Sequence, residues 1–546
     1  MNWPVCDQVM PWDKVDRTRE PWEIARDYLE MRAKKQFEIV TFRDLLEKTE
    51  DTAASDWWEK IVPGYGSGLW CPAYYSIQTW AGLPNSVVVF HGPTHCVSAA
   101  RFFQISYGGG GGGSYYWGGP FCFVPSTEMN ERDAILGAPE KLKKAILEID
   151  AVAKPEIIIV APACAPSMIG EPMEEVIEDV RGQIQSEIIF VDAPGFKCID
   201  EGDMIRLVTS KYCTDLMEEP KTKDKGAVNA VGDWRTSAWE ERYGVKCNFP
   251  TAYDELNRIL KRMGLKLKTV LPQAPLADIR RAPEAEFNVC TCPMFAYPIC
   301  EEMKAKFGVP YSNHVYPLGI EATRNYIMAI ADFFGKQNEA EALLREEFGK
   351  LQPLWDEARR KIAGKVALMD SSIAMTSVNR QMGYARMLIE LGIEDVIFFN
   401  IAPSEVLGRR EGVEYYLSQT INGVPYNPKF LWWPAPHAIK LSPVEVMEFL
   451  GLKPQDVLYL YGDLGWYAKA PDIDPANTAQ VQSGIHWRRR RNVCSRSIFF
   501  SGIRGLLRDI INAVNTSSRG RNFTLYGRVI GEWAIGDGAA GAAERG

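Results

Sequence analysis

The sequence predicts an α/β fold of three Rossmann-like lobes with parallel sheets, plus a helical N-terminal arm. Short runs of β-branched and aromatic residues recur, and each is followed by turn residues and then by a helical pattern. This alternation is typical of parallel strands joined by crossover helices. The chain is also long enough for several cores, with 546 residues of which 46% are hydrophobic. Strands are expected in six runs: SVVVFHGP (86–93), EIIIVAPAC (156–164), EIIFVDAPGF (187–196), KVALMDSS (365–372), DVIFFNIAP (395–403) and DVLYLYGD (456–463).

Helical patterns lie between these runs. The clearest end signals occur in SPVEVMEFLGL, where Ser442 is a predicted N-cap, Pro443 the first helical residue and Glu445 the capping-box carboxylate. The N-terminal segment REPWEIARDYLEMRAKK also has a helical pattern. The predicted helices are PEKLKKAILEIDAVA (139–153), NEAEALLREEFGKLQPLWDEARRKI (338–362) and SPVEVMEFLGL (442–452).

The strand and helix patterns divide the chain into a series of domains. Between the first and second lobes, residues 217–244 look irregular, as a connector or as an excursion onto a partner. The predicted divisions are an N-terminal arm (1–61), a first lobe (62–215), a second lobe (216–335), a linking helix (336–361), a third lobe (362–515) and a C-terminal tail (516–546).

Composition excludes several classes of function. A net charge of −8 argues against general nucleic-acid binding, which needs an excess of Lys and Arg. Apolar stretches fall well short of the roughly 20 residues that span a bilayer, so no membrane partner is expected. The N-terminus MNWPVCDQVMPWDK has neither the basic start nor the apolar run of a secretion signal. We therefore expect a cytoplasmic protein whose twelve cysteines are ligands or buried thiols rather than disulfides.

Three cysteines form a pattern at the predicted sheet edge. Cys96 and Cys164 each follow a strand, and Cys71 precedes Cys96 by 25 positions. In open parallel sheets, ligands gather outside the carboxyl ends of the strands. Any one of these cysteines alone fits a small buried side chain. Together they fit the soft donors of an iron–sulfur cluster or zinc, although the absence of a CxxC pair argues against a compact zinc ribbon.

The same pattern resembles subunits of the nitrogenase component 1 family. The resemblance lies in the C-x24-C spacing that ends in HGPTHC, in STEMNERDAILGAPEKL (126–142), and in a strand that ends in AC before SMIGEP (167–172). It implies that Cys71, Cys96 and Cys164 are ligands of an 8Fe-7S P-type cluster shared with a homologous partner subunit.

The chain departs from the family pattern at two places. His95 stands where the family usually has Gly, and Glu171-Pro172 replaces Asp-Asp. The His95 side chain could tune the cluster, or it could simply pack.

The subunit type has evidence on both sides. Cys292 lies 16 residues before Gly308, as the cofactor-holding cysteine of α-type subunits does. However, GIHWRRRRN (484–492) has arginine near the position of the expected histidine, and segments 316–336 and 496–515 look β-like. We favour a β-type subunit, in which Cys292 is either a divergent ligand of the active-site cofactor or a core thiol.

The resemblance also bears on substrate and partners. The Gln and His that dinitrogen-reducing α chains place after the strand of VDAPGFKCIDEGDMIRL are missing, which leaves the nitrogenase-like reductases. Among these the chain most resembles methylthio-alkane reductases, which cleave C–S bonds of small thioethers. Tetrapyrrole reductases, cofactor-assembly scaffolds and, more remotely, a metal-free α/β binding protein are the alternatives.

The implied partners are the other subunit of a heterotetramer and a homodimeric ATP-dependent iron–sulfur reductase. Electrons would pass from the cluster to an iron–sulfur active-site cofactor.

Several other sequence features are open to two interpretations. The run Gly108–Gly113 fits a flexible loop or a close approach to a ligand. Arg488–Arg491 fits a solvated or subunit-facing patch, or a cationic wall for an anionic cofactor. FLWWPAPHAIK (430–440) fits buried packing better than an aromatic ligand box. Cys198 is a core thiol or lines the subunit interface, and His314 and His437 are expected to be structural.

Overall fold

Three sheets carry the fold, and their strands pair in parallel except for one antiparallel edge strand. The structure is a computed structural model, and its described parts are residues 38–48, 71–80, 83–98, 124–197, 201–233, 252–272, 274–290, 293–312, 317–370, 378–399, 410–421, 423–432, 441–461, 478–482 and 498–519, with the single positions 23, 26 and 30. The α/β fold class predicted from the sequence is confirmed. The domain boundaries remain a prediction.

The strands are β1 (Glu38–Thr41), β2 (Ser86–His91), β3 (Ile157–Pro162), β4 (Glu187–Phe190), β5 (Asp224–Asp233), β6 (Lys266–Pro272), β7 (Ala285–Cys290), β8 (Val366–Asp370), β9 (Val396–Phe399), β10 (Thr420–Ile421), β11 (Val424–Pro425), β12 (Lys429–Trp432), β13 (Val457–Tyr461) and β14 (Ala479–Gln482). The helices are α1 (Phe42–Lys48), α2 (Pro72–Trp80), α3 (Asp133–Leu136), α4 (Pro139–Ala153), α5 (Cys164–Met168), α6 (Met173–Arg181), α7 (Glu201–Lys211), α8 (Ala252–Arg262), α9 (Leu276–Arg280), α10 (Pro293–Phe307), α11 (Ile320–Phe334), α12 (Gln337–Ile362), α13 (Val378–Glu390), α14 (Arg410–Leu417), α15 (Pro443–Leu450) and α16 (Phe499–Arg519). All six predicted strands are present. None of the helices within the described parts is both long and apolar enough to cross a membrane.

The first sheet has the order β2-β3-β4 and is covered on both faces. Val87 and Val89 of β2 pack with α4 and α6, whereas Val88 and Phe90 point into the main core with α2 and α7. Because neither face meets water, the strands are continuous apolar runs rather than alternating ones. This pattern made the sheet easy to predict from the sequence.

The second sheet corrects the sequence analysis. Its order is β6-β5-β7, so β5 (Asp224–Asp233) is the central strand of a segment expected to be irregular. The local signal is weak because Gly226 and Gly232 have positive φ and the strand pairing is interrupted by bulges. A buried amide pair also interrupts the apolar run, since Asn229 Nδ2 donates to Asn288 Oδ1 at 2.8 Å. Burial between neighbours, rather than local preference, determines this strand.

The third sheet has the order β1-β12-β9-β8-β13-β14. Strand β1 belongs to the arm that was predicted to be helical, and it pairs antiparallel with β12. Phe42, directly after β1, contacts Phe398 and Phe430 edge to face, with ring centroids 5.0 and 5.9 Å apart. These contacts explain why a strand forms here, because they bury an aromatic ring and cover the edge of the sheet. Phe430 and Leu431 are buried, as the packing interpretation of FLWWPAPHAIK expects, and residues 433–440 lie outside the described parts.

The predicted capping box is present at the start of α15. Ser442 Oγ accepts a hydrogen bond from the Glu445 backbone N–H at 3.1 Å, and Glu445 accepts one from the Ser442 N–H at 2.8 Å. The other two predicted helices match α4 and α12 closely.

Charged side chains tie the second lobe to α12 and to the C-terminal helix α16. Arg258 of α8 donates two hydrogen bonds to the buried Glu347 of α12, at 3.1 and 3.3 Å. Glu255, also on α8, accepts the backbone N–H of Ser501 in the first turn of α16 at 3.2 Å. Burial raises the pKa of Glu255, while Ser501 and Arg258 oppose the shift. A carboxylate at this helix N-terminus satisfies backbone donors that have no partner inside the helix.

Candidate functional site

The ends of β2 and β3 form one edge of the first sheet. His91 lies opposite Pro162 in the parallel register, and the Ala163 N–H donates to the His91 carbonyl at 2.9 Å. Cys164 begins α5 two residues after β3 ends, and Cys96 lies in the helical turn 94–98 that follows β2. Both cysteines therefore follow the carboxyl end of a strand at the same sheet edge, where the sequence placed them.

Cys71 and Cys164 meet at Gly195, in the loop after β4. A Cβ atom built on Gly195 would lie 3.1 Å from Cys71 Sγ and 3.0 Å from Cys164 Sγ. The two sulfurs therefore border the same point, and their separation cannot exceed the sum of these distances. Only a residue without a side chain leaves this space open. Gly195 was not singled out in the sequence, although it lies in the APGF turn after a predicted strand.

Helix α2 holds Cys71 in place. Cys71 directly precedes α2, and the last residue of this helix, Trp80, is buried. The Trp80 ring stacks on Tyr212, with 4.1 Å between the ring centroids. Its indole N–H donates a hydrogen bond to the Val208 carbonyl at 3.0 Å. A helix N-terminus carries a partial positive charge that favours an anionic group such as a thiolate. Cys71 is half-buried, so its position is fixed while part of its surface remains exposed.

The turn before Cys96 needs a glycine. A Cβ atom on Gly92 would lie 2.4 Å from the Cβ of Ala163, far inside van der Waals contact. The chain then turns at Pro93, whose carbonyl accepts the Cys96 N–H at 3.1 Å. The close approach of the two backbones, and not a positive φ, explains the glycine of the HGP motif. Cys96 itself is half-buried and packs against the main core.

A buried hydrogen-bonded group lies beside this edge. His91 Nε2 is 2.8 Å from Glu171 Oε1, and His91 Nδ1 is 2.9 Å from Thr127 Oγ1. Thr127 Oγ1 accepts the Gly92 N–H at 3.1 Å, and Glu171 Oε2 accepts the Ala138 N–H at 3.0 Å. We call His91, Thr127 and Glu171 the His91 network. His91 and Thr127 carry no signal of this network in the sequence, where Glu171 is only a departure from the family pattern.

The His91 network is consistent with a neutral imidazole. Burial lowers the pKa of His91, and the Glu171 carboxylate opposes this shift without cancelling it. In the tautomer that satisfies every atom, Nε2–H donates to Glu171 and the Thr127 hydroxyl donates to Nδ1. The nitrogen and oxygen atoms of all three side chains then have hydrogen-bond partners inside the protein.

The remaining predicted residues divide into two groups. His95 is exposed, so the packing interpretation of this residue is wrong for the single chain. The others lie outside the described residues: Cys198, Cys292, His314, His437, Gly108–Gly113 and Arg488–Arg491.

Three other cysteines behave differently from those at the sheet edge. Cys213, Cys290 and Cys300 are buried, and the sulfurs of Cys290 and Cys300 are 3.8 Å apart. Burial raises the pKa values of Cys213 and Cys300 well above their usual range, so both remain protonated thiols. The half-buried cysteines at the sheet edge are thus the better candidates for metal ligands.

A family model described as nitrogenase component 1 type oxidoreductase matches residues 71–410. The match begins at Cys71 and covers more than half of the chain. The chain belongs to the nitrogenase component 1 family. Its α/β fold class agrees with this membership.

Curated relatives within the family are distant. The nitrogenase iron-molybdenum cofactor biosynthesis protein NifE of Methanococcus maripaludis is 24% identical over 53% of this chain and 57% of its own length. The nitrogenase iron-iron protein alpha chain of Rhodobacter capsulatus is 25% identical over 56% of this chain and 55% of its own. The matched part thus spans little more than half the length of these relatives.

The likeness extends further in three dimensions. A solved structure named "Nitrogenase Cp1 at pH 5" superposes with a TM-score of 0.62 at 18% identity, covering 87% of this chain and 97% of the other. At this identity the likeness shows a shared nitrogenase component 1 fold.

Cys71, Cys96 and Cys164 bring three sulfur donors to this sheet edge, and such soft donors suit iron–sulfur clusters. Within the described parts, no three Cys, His, Asp or Glu side chains converge closely enough to hold one ion. In a cluster the thiolates bind different iron atoms, so the sulfurs need not converge on one point. The space over Gly195 between the sulfurs of Cys71 and Cys164 agrees with this arrangement.

If Cys71 and Cys164 hold an iron–sulfur centre, Gly195→Ala should weaken iron binding without unfolding the protein. The new methyl group would displace the sulfurs of Cys71 and Cys164, whereas the Gly195 backbone does not need a positive φ. We expect iron loss to a chelator to become about tenfold faster, the scale on which changes around metal ligands act. Gly182→Ala is the matched control, because a Cβ there meets nothing within 4 Å. Equal iron retention in both variants would contradict a centre held between these two sulfurs.

The stability of the protein should depend on pH through His91. Because the folded pKa of His91 is lowered, acid protonates the unfolded chain first, so this contribution is present above pH 6.5 and is lost below it. The slope from this one group is at most about 1.4 kcal/mol per pH unit. Unfolding midpoints from pH 7.5 to 5 should fall less steeply in His91→Gln than in the wild type. Parallel curves would mean that His91 titrates normally in the folded protein.

Proposed function

We propose that the chain is a subunit of a nitrogenase-like reductase and holds an 8Fe-7S P-type cluster through Cys71, Cys96 and Cys164. The observation that carries the proposal is the meeting of the Cys71 and Cys164 sulfurs over Gly195, at the edge where the Cys96 segment also begins. Thiolates are the usual ligands of such clusters. Family membership supports the same assignment.

An apolar surface beside the cysteines supports a partner subunit that completes the cluster site. Phe196, next to Gly195, is 51% exposed, and Met168 at the end of the Cys164 helix is 72% exposed. Ile135 and Leu136 of the neighbouring α3 are exposed as well. Contiguous apolar side chains on a surface are typical of protein–protein contacts. In this proposal a homologous chain covers this surface and supplies the remaining cluster ligands in a heterotetramer.

Each part of the site has a physical task. The three cysteines fix the geometry of the cluster, Gly195 keeps its space open, and the apolar surface excludes water once the partner is bound. A bound iron–sulfur cluster would supply one-electron transfer. Electrons would come from a homodimeric ATP-dependent iron–sulfur reductase and leave to an iron–sulfur active-site cofactor of the complex.

The proposed reaction is the reductive cleavage of a C–S bond in a small methylthio-alkane. Two electrons and two protons convert the thioether CH3–S–R into methanethiol and the hydrocarbon RH. The resemblance to methylthio-alkane reductases and the missing Gln and His of dinitrogen-reducing chains support this choice.

The alpha chains among the relatives favour an α-type role over the β-type role expected from the sequence. In that role Cys292 would be the candidate ligand of the active-site cofactor.

A cofactor-assembly scaffold is the second candidate. Its support is the similarity to NifE proteins, which are described as acting in cofactor biosynthesis. A scaffold would use the same cysteines but would release a cluster instead of reducing a substrate.

Cys96→Ala should lose most of the iron and weaken association with the partner subunit. Removing one thiolate leaves an iron atom without its protein ligand, and a shared cluster also joins the two chains. Iron per chain and molecular mass would be measured on protein purified without oxygen. Cys213→Ala is the control, because it removes a buried sulfur that does not lie at this sheet edge. Full iron content in Cys96→Ala would refute the ligand assignment.

Turnover separates the two candidate functions. The complex purified with its reductase and ATP should release methanethiol from dimethyl sulfide, and no product should form without the reductase or ATP. Headspace gas analysis would measure the product. Transfer of iron and sulfide to an acceptor protein without any methanethiol would favour the scaffold.

A further inference from the structure

We propose that the His91 network is a positioning group that sets the placement of the Cys96 and Cys164 segments around the cluster. The inference rests on the proposed function and adds to it three residues that do not bind iron. His91, Thr127 and Glu171 would act only through the cysteines whose segments they join.

The network connects both cysteine segments by short paths. His91 ends β2 five residues before Cys96, and Glu171 follows Cys164 by seven residues. The 2.8 Å contact from His91 Nε2 to Glu171 Oε1 thus links the two segments through side chains alone. The backbone contact from Ala163 N–H to the His91 carbonyl links them a second time. A shift of either segment would break a buried hydrogen bond.

A third segment, residues 126–129, forms hydrogen bonds with the Gly92 backbone. The Gly92 carbonyl accepts hydrogen bonds from Ser126 Oγ at 2.7 Å and from the Met129 N–H at 3.1 Å. Thr127, between these two residues, accepts the Gly92 N–H and contacts His91 Nδ1. Both polar groups of the Gly92 backbone are therefore held by residues 126–129.

The chemistry of the network suits a rigid support. His91 is fully buried and the Glu171 side chain is 1% exposed, so no water can replace a lost partner at low cost. Glu171 uses one oxygen for His91 and the other for the Ala138 N–H, at the start of α4. A buried carboxylate also places a negative charge beside the cysteine segments. Removing that charge should make the cluster easier to reduce.

Four variants of the full-length chain test the role, each purified without oxygen together with the chains that co-purify. Glu171→Gln removes the charge while keeping the shape, and Thr127→Val removes the hydroxyl. Thr127→Ser restores the hydroxyl as the conservative variant. Glu175→Gln, on the exposed side of α6, is the matched control.

The measurements are iron and sulfide per chain, the rate of iron loss to a chelator, the EPR spectrum and midpoint potential of the loaded protein, and the unfolding midpoint. We expect iron loss about tenfold faster in Glu171→Gln and Thr127→Val, the lower end of outer-shell effects. Both variants should have an altered EPR spectrum, and the potential should rise in Glu171→Gln. Thr127→Ser and Glu175→Gln should match the wild type.

The outcomes separate this inference from the proposed function. A wild-type protein without iron would refute the proposed function itself. With iron in the wild type, an unchanged chelation rate, spectrum and potential in Glu171→Gln and Thr127→Val would overturn the inference, even if their unfolding midpoints fell. Equal behaviour of Thr127→Ser and Thr127→Val would overturn it too. If Glu171→Gln does not fold, the comparison of Thr127→Val with Thr127→Ser tests the inference.

Discussion

The parallel pairing of β2 with β3 is the constraint on which the candidate site depends. Because His91 lies opposite Pro162, both strands end at the same level, and the chain segments that follow must leave side by side. The close contact between Gly92 and Ala163 then leaves the first turn little freedom. Cysteines far apart in the sequence reach one edge through this register, and no local motif is needed to bring them together.

The sequence predicted the parts of the fold whose signals are local. Continuous apolar runs identified the six strands, and Ser442 with Glu445 identified a helix start, because these patterns depend on near neighbours. The central strand of the second sheet was missed, since Gly226, Gly232 and Asn229 obscure its apolar pattern and its stability comes from burial between two other strands. Cysteine positions likewise suggested the site.

The rest of the site depends on contacts between distant segments. His91, Thr127 and Glu171 are up to 80 positions apart, and no periodicity links them. Gly195 is informative only once the sulfurs on either side of it are known. Burial then separates the two sets of cysteines by their chemistry. Cys213, Cys290 and Cys300 are buried, whereas the cysteines at the edge of the first sheet remain partly accessible, a distinction that composition cannot reveal.

Strand β1 has a practical consequence for shortened versions of the protein. The family match begins at Cys71, so a chain trimmed to that residue would lose β1 and leave the outer side of β12 without its antiparallel neighbour. Exposed strand edges recruit other chains, and here the uncovered Phe430 and Phe398 would add apolar surface to the edge. Self-association of such a fragment would therefore reflect a missing edge cover and not the natural assembly of the protein.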